Sequence, residues 1–315
     1  VGSAGNTGIV ALSGANTYTG STTISAGTLQ LNPGGTISSS SSIINNAALV
    51  YANNIVNTAN GVTGSGTIGV NSGSTLQLTG ALGTTGLVTI NTGGVLDLNG
   101  QSNTGAISLS GTGISSAGAL INSSATAATQ SGNVTLAGPT SIGGTGNITI
   151  SGIISGSNAL TKVAANTLTL SGANTYTGST TISAGTLQLN PGGTISSSSS
   201  IINNAALVYA NNLVNTANGV TGSGAIVVNS GSTLKLTGAL GTTGLVTINS
   251  GGVLDLNGQS STSSISLAGT GISSAGALIN SSATAATQSG NVALSAATSI
   301  GGTGNITISG IISGG

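Results

Sequence analysis

Apolar and polar residues alternate along this chain in runs of three to five. VTINTGGVLDLNG at 88–100 and IGVNSGSTLQLTG at 68–80 show the pattern, as does LTLSGANTYTGSTTISAGTLQLN at 168–190. Alternation with a period of two marks strands with one buried face. The links hold Gly, Asn, Ser and Thr, which turn the chain at low steric cost. In this reading Leu29 with Leu31, Leu76 with Leu78 and Leu96 with Leu98 point inward. On another face Val88 with Ile90, Ile107 with Leu109, Val134 with Leu136 and Ile148 with Ile150 do the same. Gln30, Gln77, Asp97, Thr89, Ser108, Thr135 and Thr149 fall between them and are expected to point outward.

Strands this short cannot bury a face alone, so repetition decides the fold. Leu12 onward aligns with Leu170 onward without gaps, a period of 158, and 14 of the 146 aligned positions differ. Anchor residues at 29, 49, 76, 96, 120, 142, 168 and 187 divide that period into seven units of 19 to 27 residues. Stacked at ~4.8 Å, seven coils rise roughly 34 Å. The expected fold is all-β: a right-handed parallel β-helix, or β-solenoid, with about seven coils per 158-residue repeat and two repeats. A flat stack of antiparallel hairpins is the alternative. The expected organisation is one continuous rod over 1–315, with copy one at 1–158 and copy two at 159–315. The two periods together exceed the chain by one residue, so it reads as a window on an array. Asn45, Asn46, Asn53 and Asn54 flank an apolar run and are expected to stack as amide ladders at corners.

Composition then removes most chemistry. The chain has 315 residues, no Cys, Met, Trp, Phe or His, and four charges: Asp97, Asp255, Lys162 and Lys235. Acid–base work needs a placed titratable group, usually with a partner, and the two aspartates lie one 158-residue period apart. Without His or Cys there is no candidate nucleophile–base pair or metal centre, so no enzyme activity and no cofactor is expected. Phosphate recognition needs clustered Lys and Arg, which excludes nucleic acid as a partner. No apolar run approaches 18 residues, so no membrane insertion of this segment is expected. Near-zero charge leaves nothing electrostatic to hold copies apart, so the expected partner is the chain itself.

The remaining candidates are structural. Lys235 and Asp255 stand at the middle of LKL and LDL one coil apart, which predicts an inter-coil ion pair worth about 0.2–1 kcal/mol if exposed. Gln77 takes the place of Lys235 in the first copy and should face Asp97. Tyr18, Tyr51, Tyr176 and Tyr209 are the only aromatic residues. They can stack on sugars, or they can cover coil corners with the hydroxyl outward. The second reading is favoured because Tyr18 and Tyr176 belong to the repeated text. The outward column read from these anchors (Gln30, Val50, Gln77, Asp97, Ile121, Gly143, Thr169) forms no threonine array of the kind that binds ice.

The segment 168–190 resembles the autotransporter-associated β-strand repeat through Leu168, Leu170, Gly172, Asn174, Thr175, Tyr176, Gly178, Thr180, Ile182, Gly185, Thr186, Leu187 and Leu189. The first copy carries the same pattern from Leu12 to Leu31, with Val10 in place of the first Leu. The resemblance covers about 45 of 315 residues. It implies a bacterial cell-surface or secreted passenger and no activity by itself. Two functions follow as expectations: a structural fibre segment that self-associates into filaments or a sheath, or the stalk of an autotransporter-like adhesin mediating attachment or biofilm formation. A surface or glycan target is compatible with either.

Overall fold

The computed structural model describes residues 1–2, 5–59 and 61–314. It is an all-β parallel solenoid of about 15 turns with almost no helix. The chain forms two compact units, Val1–Leu168 and Thr169–Gly315, each wound from three parallel ladders of short strands.

In the first unit, one ladder stacks Ile9–Leu12, Thr28–Leu31, Ala48–Tyr51, Thr67–Val70, Val88–Ile90, Ile107–Gly111, Val134–Gly144 and Ile154–Ser155. Its inward column runs Leu29, Leu49, Ile68, Val88, Ile107, Val134, Ile154, and each of these side chains is buried. A second ladder carries Asn57, Leu76, Leu96, Leu120, Ile142 and Lys162 in register. The third contains Thr22–Ile24, Ile43–Asn45 and Val62–Gly64, and further along Ser102–Asn103, Ala128–Gln130 and Ile148–Ile150. The second unit repeats this arrangement, with Leu187, Leu207, Ile226, Val246, Ile265 and Val292 as its first column.

Every side chain read as inward from the alternation is buried, but the assignment to faces differs. Leu49 pairs with Ile68, whereas Leu76 belongs to the ladder of Leu96. The anchor series therefore crosses from one face to the next between 49 and 76, and the ladders do not confirm its count of seven coils per repeat. Strands of the first ladder begin at residues 28, 48, 67, 88, 107, 134 and 154, so most turns take about 20 residues. The long turn after Ile107 accommodates the 3-10 segment Ile114–Ser116. The outward column read from the anchors likewise is not one column: Gln30 aligns with Val50 and Gly69, and Gln77 with Asp97 and Ile121.

The asparagines do not form the expected ladder. Asn45 is buried and donates to the Thr67 carbonyl at 2.9 Å. Asn53 and Asn57 exchange amide hydrogen bonds of 2.6 and 2.8 Å within one corner. Asn46 accepts from the Ser65 backbone, and Asn54 takes Ser74 Oγ on its own N–H. A side-chain rung between neighbouring turns does occur elsewhere, from Asn91 to Asn71 at 2.7 Å. These bonds satisfy polar groups where the chain leaves one ladder for the next.

Candidate functional site

The densest charged constellation is the corner that follows Val95–Asp97 in the first unit and Val253–Asp255 in the second. Alternation predicts Asp97 as an outward residue, yet it is only 2% exposed. The corner folds over it. Asn99 adopts a left-handed backbone (φ 46°), which asparagine tolerates, and this brings its N–H to Asp97 Oδ1 at 3.0 Å. Ser123 on the following turn donates its N–H to Oδ1 at 3.0 Å and its hydroxyl to Oδ2 at 2.6 Å. Gln77 on the preceding turn donates to Oδ2 at 2.8 Å. Two donors on each oxygen fill the acceptor capacity of a carboxylate.

Asp255 repeats the arrangement with Asn257 and Ser281. Here Lys235 is the register partner of Asp255, with Nζ 3.8 Å from Oδ2 and 3.2 Å from Ser281 Oγ. The Lys235 side chain is one third exposed, while that of Asp255 is 5% exposed. The pair is thus a cation in partial contact with water beside a carboxylate already braced by the backbone. Its Coulomb gain is screened and stays at about 0.2–1 kcal/mol.

The saturated Asp97 carboxylate ties together three turns and offers no free lone pair to a substrate. Among the described residues, no group of three or more His, Cys, Asp or Glu gathers to hold a metal. None of their helices is long and apolar enough to cross a membrane.

Tyr18 and Tyr176 head matching hydroxyl chains. Tyr176 OH lies 2.6 Å from Thr180 Oγ1, which donates to Ser198 Oγ at 2.9 Å, which donates to the Gly178 carbonyl at 2.9 Å. Because each later hydroxyl spends its proton on the next, the phenol is the donor at the head of the chain. Tyr18, Thr22, Ser40 and Gly20 repeat the order. The tyrosines were expected to turn their hydroxyls outward. Instead Tyr51, Tyr176 and Tyr209 are each 1% exposed, and Tyr18 alone is substantially open. Tyr51 and Tyr209 occupy inward columns, between Leu31 and Val70 and between Leu189 and Val228, and Tyr176 is buried in the link before Thr180–Ile182. Burial pushes the phenol pKa of all three well above the ordinary value. Tyr51 and Tyr209 place their hydroxyls in the core without a hydrogen-bond partner.

Lys162 was missed as a structural residue. It continues the inward column of Leu120 and Ile142, and its Nζ donates to the Val163 and Ala164 carbonyls and to Asn166 Oδ1 at 2.6–2.8 Å. Ala164 takes a left-handed conformation (φ 66°) in the loop that supplies these oxygens. Burial lowers the ammonium pKa to about 8. A lysine at the end of an alternating run reads as solvated, so only the register reveals it.

Residues 6–31 and 160–189 match the passenger-associated-transport-repeat. The parallel solenoid and these two matches make the chain similar to the β-helical repeats of autotransporter passengers. Neither curated proteins nor solved structures give a match.

Proposed function

We propose that this chain is a non-enzymatic structural segment of a bacterial surface or extracellular passenger, and that its copies associate side by side into filaments or a sheath. The observation that carries this reading is a repeated apolar exterior. Val56 and Val214 are 57% and 60% exposed, Leu87 and Leu245 are 43% and 48%, and Ile44 and Ile202 are 38% and 37%. Single exposed apolar residues are ordinary. The same residues exposed to the same degree in both copies give each unit an equivalent set of contact points, which lateral packing of identical chains requires. The surface charge that would oppose such packing is almost absent.

Sedimentation over a range of concentrations in physiological salt tests the proposal, with the double variant Val56→Asp/Val214→Asp alongside. Both valines are more than half exposed, so the aspartates are compatible with the fold. Association of the unmodified chain that weakens in the variant supports the proposal. A monomer at every concentration overturns it and favours the stalk of an adhesin, for which the passenger-like repeat is the supporting observation.

A further inference from the structure

Copy two departs from copy one at a buried position of the third ladder, and the departure opens a polar site. In the first unit Asn103 Nδ2 donates to Gln130 Oε1 at 2.6 Å, and Asn103 Oδ1 accepts from the Gly105 N–H at 3.0 Å. In the second unit Ser261 stands where Asn103 stood, in register with Gln288, and both are 0% exposed. Ser261 Oγ and Gln288 Oε1 have no hydrogen-bond partner.

The Gln288 amide cannot rotate to relieve this. Its Nε2 donates to the Ser263 carbonyl at 2.7 Å and to the Gly290 carbonyl at 3.0 Å, so an exchanged amide would set oxygen against two oxygens. The Gln130 amide is fixed in the same way by Gly105 and Gly132. Ser263 replaces Gly105, and its N–H has lost the amide oxygen that Asn103 provides in the first copy. Three polar groups therefore face the space vacated by the amide.

We propose that Ser261, Gln288 and Ser263 bind one internal water molecule in the second unit, and that the corresponding place in the first unit is filled by the Asn103 amide. The replacement of Asn by Ser removes two heavy atoms, and the two that Ser263 adds turn to the backbone, its hydroxyl donating to the Thr242 carbonyl at 2.8 Å. A buried water takes two to four polar partners. Water can donate to Gln288 Oε1, exchange a hydrogen bond with Ser261 Oγ and accept from the Ser263 N–H. Leu240 and Ile308 stand before and after this pair in the column, and the neighbouring Ser263 hydroxyl is spent on the Leu240 and Thr242 carbonyls.

A crystal structure of the full chain that resolves ordered solvent tests this directly, repeated on the Ser261→Asn variant. The expected result is a water within about 3.2 Å of Ser261 Oγ and Gln288 Oε1, none between Asn103 and Gln130, and none in the variant, where the new amide bonds Gln288. Direct closure of Ser261 onto Gln288 overturns the proposal. So does a dry gap, or a water that persists beside the asparagine. If crystals of the variant fail, magnetisation transfer from water to the Gln288 side-chain NH₂, absent at Gln130, is the second readout, and equal transfer at both sites contradicts the assignment.

Discussion

The two aspartate corners and the two glutamine pockets are the same structures written twice, and the few changes between copies have opposite consequences. At the corner, Gln77 becomes Lys235 and the carboxylate keeps every backbone contact: Asn99 and Ser123 in one copy, Asn257 and Ser281 in the other. The varied residue reaches water, so either a neutral amide or a cation completes the site. In the pocket, Asn103 becomes Ser261, and Gln288 Oε1 lacks the amide partner that Gln130 Oε1 keeps. Exposure, more than the chemical size of the change, decides what a substitution costs in a stacked ladder.

Removing the carboxylate itself should produce the largest effect. Asp97→Ala and Asp255→Ala each strand two backbone N–H groups and a serine hydroxyl. A loss on the order of 3 kcal/mol is expected for each in denaturant unfolding. Near-equal losses would show that Gln77 and Lys235 are secondary. A much larger loss in the second copy would show that the cation matters more than the backbone brace.

The pocket gives the next step down. Asn103→Ser should destabilise by about 1–3 kcal/mol and Ser261→Asn should stabilise by about 1 kcal/mol. The tyrosines offer a parallel contrast. Tyr209→Phe removes an unpartnered buried hydroxyl and should stabilise, whereas Tyr176→Phe breaks the hydroxyl chain through Thr180 and should destabilise, each by about 1 kcal/mol. Calorimetry of the two variants checks the sign.

Lys162 separates the units by pH. Its folded pKa is about 8 against 10.5 for the ordinary side chain. From about pH 8 to the onset of tyrosine ionisation in the unfolded chain near 10, the unfolded chain binds more protons at Lys162 than the folded one. Stability should therefore rise with pH across that window and stay flat below it, and the three buried phenols oppose the rise above it. Lys162→Met should abolish the slope. The smallest effect is expected of Lys235→Gln, which turns the second corner into the first. A change of about 0.2–1 kcal/mol, shrinking in high salt, is expected from urea titrations at two ionic strengths.

Much of the fold was legible because alternation names the buried residues one strand at a time. Leu29, Leu76, Leu96, Val88 and Ile148 all lie in the core. Alternation does not say which strands share a face. The text TLQL occurs at 28–31 and at 75–78, yet the first stacks on Ala48–Tyr51 and the second on Val95–Asp97. Corner links vary in length, and only the hydrogen-bonded register resolves them. The relation of Lys235 to Asp255 could be read because both residues stand at the centre of the same three-letter run. The burial of Asp97 could not, since it depends on Ser123 arriving from 26 residues away. The hydroxyl chains escaped for the same reason: Thr22 and Ser40 meet across a turn, and no local pattern marks them.

Electron microscopy of the unmodified chain in physiological salt is the most direct check on side-by-side association. Laterally associated assemblies, wider than a single chain, whose contacts recur along their length are expected. A field of separate single particles at every concentration would contradict it.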